Sequence, residues 1–170
     1  MKPKNNRVIN IELKDIGDKP IFRQFLRWKI RYIKNIKSFG PERDRVLKTG
    51  QPPIYPNHIK LHIECFTNKS FIHNESAYIK IGSLENTHAA TVEMLVSAIP
   101  KIDKMRESGL ISNDIKWVIA LGSIVINEEK ISMVMAYELT RKKLCPVSTM
   151  TPWSSPWKSH TVGYLVFDKK

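Results

Sequence analysis

The twelve residues 115–126, IKWVIALGSIVI, constrain the fold more than any other stretch of the chain. They form its most apolar run, and their β-branched content and length favour a strand over a helix. A strand with no polar face belongs in the middle of a sheet, covered on both sides. Gly122-Ser123 inside it predicts a bulge or bend. Asn127-Glu128-Glu129 marks a turn, and residues 130–139 return as a second strand. Ile131, Met133, Met135 and Tyr137 fall on one side of it, and Val134, Ala136 and Leu139 on the other. The pair is expected as an antiparallel hairpin.

Around this hairpin the pattern is strand, helix, strand. Ile59, Leu61, Ile63 and Cys65 alternate with Lys60, His62, Glu64 and Phe66, which predicts a strand with one buried face. Asn68-Lys69 is a turn. Residues 76–81, with Tyr78, Ile79 and Ile81 apolar, are expected as a second strand ended by Gly82-Ser83. Asn86 or Thr87 can cap the next element. There Ala89, Val92, Leu95, Val96 and Ile99 recur at helical spacing. Pro100 is expected to kink or restart that helix, and Gly109 to stop it. Residues 161–167 make a final strand. The expected fold is α+β, a mostly antiparallel sheet packed against helices.

The charge is unevenly placed. Residues 1–60 carry fifteen Lys or Arg against five acids, while residues 61–170 carry thirteen against eleven. Nearly all of the net +12 therefore lies in the first third. The division expected is a basic arm over residues 1–57 and a near-neutral globular domain over 58–170. Such asymmetry points to a polyanion, either phospholipid head groups or nucleic acid.

Within the arm, residues 20–37, PIFRQFLRWKIRYIKNIK, are expected to form a basic amphipathic helix. Phe22, Phe25, Leu26, Trp28, Ile30, Tyr32, Ile33 and Ile36 fill one arc at about 100° per residue. Arg23, Arg27, Arg31 and Lys34 fill the other, and Lys29 and Lys37 can snorkel from the apolar side. Asp18 suits the N-cap and Gly40-Pro41 stops the helix. A basic face opposite Trp and Phe is what an interfacial helix on anionic lipid requires. The same pattern also fits a surface helix whose apolar face lies on the core.

Residues 40–57 hold two Gly and four of the ten Pro, and are expected as an extended linker. Pro52-Pro53-Ile54-Tyr55 within it is a PPxY tetrapeptide. The prolines preset a polyproline II turn, and Tyr55 supplies the anchor for an aromatic-lined groove such as a WW domain. Residues 140–160 are expected as a long loop carrying Pro152-Trp153 and Pro156-Trp157. These tryptophans either contact another molecule, a second copy included, or fold back over the sheet edge.

Little in the sequence points to catalysis. Two cysteines are too few for a disulfide framework and fit a reduced intracellular protein. The opening residues lack the apolar core of a signal peptide, and no run has the length to span a bilayer. His62 and Cys65 are half of a zinc pattern, but residues three apart on a strand diverge, so no metal or other cofactor is expected. There is no glycine-rich phosphate loop and no nucleophile motif.

With the PPxY ahead of the folded body, after a basic region, and with IKWVIALGS following a strand and a helix, the chain resembles the rhabdovirus matrix proteins over about residues 50–126. The chain is short for that family, and its basic residues lie on an amphipathic pattern rather than on a plain lysine-rich tail. The resemblance implies peripheral binding to the inner face of the host plasma membrane, self-association, condensation of the viral nucleocapsid, and budding through a host WW-domain ubiquitin ligase. The site residues expected are then Arg23, Arg27, Trp28, Lys29, Arg31, Lys34 and Lys37 for anionic lipid or RNA. Pro52, Pro53 and Tyr55 are those for the ligase, and Trp153 and Trp157 those for self-association. The alternatives are an RNA-binding viral accessory protein, such as a silencing suppressor, using the same arginine face, and an adaptor whose basic helix docks in a partner groove.

Overall fold

A computed structural model describes residues 9–12, 33–38, 49, 58–85, 87–127, 132–147 and 156–168. Ten strands and two helices follow one another along them. In chain order the strands are β1 (Ile9–Glu12), β2 (Ile33–Ser38), β3 (His58–Glu64), β4 (Phe71–Ile72), β5 (Thr87–Ala89), β6 (Trp117–Asn127), β7 (Ser132–Glu138), β8 (Lys143–Val147), β9 (Trp157–Lys158) and β10 (Val162–Asp168). The helices are α1 (Asn74–Ser83) and α2 (Val92–Glu107).

The fold is α+β. Eight strands form one sheet along the path β1-β3-β10-β6-β7-β8, with β2 added to β6 and β5 added to β10. Every pairing in it is antiparallel except β10 with β6. The apolar run is the central β6, as expected. Val118 and Ala120 face the cluster under α2, built from Met94, Leu95, Ala98, Ile99 and Ile102. Ile119 and Leu121 face the other cluster, closed by Ile72 of β4 and by Ala77 and Ile81 of α1. Burial on both faces is why this strand shows no polar alternation.

The expected bulge at Gly122-Ser123 lies where the sheet forks. The β6–β7 register shifts between Ala120 and Val125. Below the shift β6 pairs with β10, and above it the same edge pairs with β2. β10 likewise changes partner, from β6 to β5. Ala90 bridges the fork: its N–H donates to Leu165 O at 2.9 Å, and its carbonyl accepts from Gly122 N–H at 2.8 Å. A Cβ at Gly122 would lie 2.5 Å from the Ala89 carbonyl oxygen, so the backbones meet at this distance only because residue 122 has no side chain.

Several expectations are corrected. Residues 76–81 are not a strand but part of α1. Ala77 and Ile81, four apart, are the side chains it buries, and Ile79 faces water. Thr87 belongs to β5, and the cap of α2 is Thr91, whose Oγ1 accepts from Met94 N–H. Pro100 lies inside α2, which runs as one element past it. Gly109 does end it. At φ +78° its N–H donates to Arg106 O and the Leu110 N–H to Met105 O, the paired bonds of a Schellman motif. Leu139 joins the cluster of Tyr137 rather than that of Val134 and Ala136.

The expected loop 140–160 contains β8 and β9. Pro146 sits in β8, which borders only β7 in the sheet path. Proline, lacking a donor, is tolerated on such an edge. The expected helix over residues 20–37 is also changed at its end, because Ile33–Ser38 is the strand β2, paired with β6. The rest of that helix, residues 20–32, lies outside the described residues. So does the linker, apart from Thr49.

Candidate interaction surface

The expected site residues separate into two groups. Lys34 and Lys37 stand on β2, with Lys37 opposite Ile124 and Lys34 at the register shift between Ile33 and Asn35. Trp157 begins β9 opposite Ile72. Arg23, Arg27, Trp28, Lys29, Arg31, Pro52, Pro53, Tyr55 and Trp153 lie outside the described residues.

The attachment of the basic stretch is nevertheless defined at both of its ends. β1 finishes at Glu12, opposite His58, and β2 begins at Ile33, opposite Asn127. Both points lie at the end of the sheet where β6 and β10 finish. The first 57 residues are therefore stitched into the sheet twice. His58, the first residue of β3 and three residues after Tyr55, lies at the same end.

The opposite end also carries basic side chains that the count of charges along the sequence did not single out. Lys116, Arg141, Lys142, Lys143, Lys158 and His160 are all exposed around the starts of β6, β8, β9 and β10. Arg141 lies 3.6 Å from Glu138 and Lys142 lies 3.9 Å from Glu107. The exposed Lys142–Glu107 pair is held loosely enough to exchange for other anions. Lys142 has φ 54° and turns the chain from β7 into β8. These residues gather only through the pairing of strands distant in sequence.

Trp157 folds back onto its own chain. It is partly buried, its ring 5.6 Å from that of Trp117 at 52°. Its Nε1–H donates to Asn74 Oδ1 at 3.0 Å, and the Tyr164 hydroxyl donates to the same oxygen at 3.3 Å. Asn74 and Tyr164 are buried, and burial, with Cys65 nearby, raises the Tyr164 phenol well above the usual tyrosine range. Ser159 completes the closure, its N–H on Ser70 O at 3.0 Å and its Oγ–H on Lys69 O at 2.5 Å. The cluster clamps β4–β9 and α1 onto the main sheet.

His62 and Cys65 meet different neighbours. His62 Nε2 lies 2.8 Å from Glu64 Oε1 and its Nδ1 lies 3.5 Å from Asp168 Oδ1, while Cys65 packs with Ile63 against the cluster under α2. Among the described residues no three His, Cys, Asp or Glu are placed to hold a metal ion, and no helix is long and apolar enough to cross a membrane. No family model matches the chain, and neither does any curated protein or solved structure.

Proposed function

We propose that this chain is a viral matrix protein, a non-catalytic platform that binds anionic membrane from its surface, associates with itself and condenses the nucleocapsid. Arg23, Arg27, Lys29, Arg31, Lys34 and Lys37 meet the lipid head groups, each contributing about 1 kcal/mol near the surface. Trp28 enters the interface beside them. Pro52, Pro53 and Tyr55 hold a host WW-domain ubiquitin ligase. Trp153 and the uncovered part of Trp157 meet a second copy. The protein then works in the virion, in the host cytoplasm and on the inner face of the host membrane.

One observation carries the reading. Nearly all of the positive excess lies in the first third of the chain, and the stretch between β1 and β2 is anchored at both ends to one end of the sheet. A polyanionic surface can then be engaged from that end while the rest of the platform stays available. Exposed Lys116, Arg141, Lys142 and Lys143 at the far end suit the nucleocapsid RNA.

Cosedimentation of the full chain with phosphatidylserine vesicles, and separately with generic RNA, tests this. The expected result is partition onto anionic vesicles that weakens with salt. Changing Arg23, Arg27 and Arg31 to Glu is expected to lower it by about two orders of magnitude. RNA binding with no vesicle binding would instead establish the nucleic-acid-binding reading.

A further inference from the structure

Among the described residues, three large apolar side chains are exposed, and two of them, Phe71 and Ile79, project from one layer of the fold. That layer is β4 with α1. Ile72 faces inward from β4, and Ala77 and Ile81 face inward from α1, all into the same cluster. Strand alternation sends Phe71 the other way, and helix geometry sets Ile79 opposite Ala77 and Ile81. Phe71 is 56% exposed and Ile79 64%.

Lysines stand beside the two in the register and along the chain. Lys158 is the cross-strand partner of Phe71. Lys69 is exposed two residues before Phe71, on a loop tied to Ser159 through Lys69 O and Ser70 O. Lys80 follows Ile79, donates to Asn68 Oδ1 at 3.2 Å and lies 5.5 Å from the centre of the Phe66 ring. Ser70, Ser76, Gly82 and Ser83 of residues 69–85 are exposed too, and the acids of that segment are partly buried Glu75 and exposed Glu85.

We propose that Phe71 and Ile79, with Lys158 across the strand pair from Phe71 and with Lys69 and Lys80 nearby in the chain, form a second membrane contact on the folded platform, inserting into the interface of an anionic bilayer. The inference goes beyond the reading above, because it uses none of the residues of the basic stretch. Apolar side chains at the centre and long cations at the margin are the arrangement by which interfacial elements combine burial with attraction to anionic lipid. The lysine stems lie along the apolar surface while their heads reach phosphate. Single-stranded nucleic acid fits less well, since bases stack on aromatic faces and Ile79, the more exposed of the pair, offers none. A protein partner also fits less well, because lysine is depleted at such interfaces.

Vesicle cosedimentation of the full chain carrying Phe71→Ser, Ile79→Ser or both decides it. Each change is expected to lower the partition coefficient onto mixed phosphatidylserine–phosphatidylcholine vesicles by about tenfold. The melting temperature should hold, because both side chains are already exposed. Changing Lys69, Lys80 and Lys158 to Gln is expected to weaken binding to anionic vesicles and leave binding to neutral ones unchanged. Binding of the double serine variant at the wild-type level would overturn the second contact, and if the Arg23, Arg27 and Arg31 variant were meanwhile impaired, the proposed function would stand without it. A wild-type chain that ignores vesicles altogether would overturn both. Loss of RNA retention or of self-association in the serine variants, with vesicle binding intact, would reassign the patch and overturn the lipid contact.

Discussion

Tyr137 shows how one side chain joins two elements of this fold. It is buried on β7, and its hydroxyl donates to Asp103 Oδ1 of α2 at 2.8 Å. Burial first, and then the hydrogen bond and charge of Asp103, push its phenol far above the ordinary tyrosine value. A group whose folded pKa is raised lends stability that is complete below its unfolded pKa and is lost as pH climbs towards the folded one. Urea unfolding should therefore show a loss of stability beginning near about pH 10, the unfolded tyrosine value. Tyr164, raised chiefly by burial, contributes in the same direction. Tyr137→Phe is expected to cost about 1 kcal/mol at neutral pH and to make the alkaline fall shallower. An unchanged alkaline slope would show that the phenol ionises as freely folded as unfolded. The alternation around residue 137 made its side of the strand predictable, but Asp103 lies 34 residues away, and no spacing rule pairs the two.

At the scale of elements, length decided what could be foreseen. β3, β7 and the body of α2 carry enough periodic side chains to declare their type, and β6 and β10 declare theirs by apolar, β-branched runs. α1 does not. Over six residues Tyr78, Ile79 and Ile81 imitate a strand as well as a helix, and the decision fell to burial of Ala77 and Ile81 one helical turn apart. β8 and β9 were missed because five and two residues show almost no period, and because Pro146 reads as a breaker until it is placed on an edge. The fork in β6 makes the sharpest prediction here. Gly122→Ala drives a methyl into the Ala89 and Ala90 backbone, at 2.5 and 2.7 Å from their oxygens. It should cost about 1–3 kcal/mol and lower the urea midpoint without changing the slope. Gly82→Ala, in α1 with nothing within 4 Å of the added carbon, should be neutral or stabilising by up to about 1 kcal/mol. Equal effects at the two glycines would show that close backbone approach at the fork is not what requires residue 122.

For the molecule as a whole, charge and topology act together. The basic stretch and the PPxY both border strands that start or finish at one end of the sheet, through Glu12, Ile33 and His58. A ligase docked on Pro52, Pro53 and Tyr55 would then work from the end that the proposal assigns to the membrane. A pull-down of the full chain with an isolated WW domain should retain it, and Tyr55→Ala should abolish retention while the fold stays intact by circular dichroism. Equal retention of Tyr55→Ala would remove the late-budding role and leave the platform and its charge asymmetry untouched.

The sequence by itself determined the α+β class, the place of β6 at the centre, the hairpin with β7, the stop at Gly109 and the concentration of positive charge in the first sixty residues. Those properties depend on local periodicity, on composition and on the conformational range of single residues. Tertiary structure alone decided that β10 runs parallel to β6, that pieces of the first 57 residues complete the sheet, that Trp157 is held by Asn74, and that Phe71 and Ile79 face water. Each of these depends on which distant segments meet, and contact between distant segments is set by burial of shared apolar surface rather than by the order of neighbouring residues.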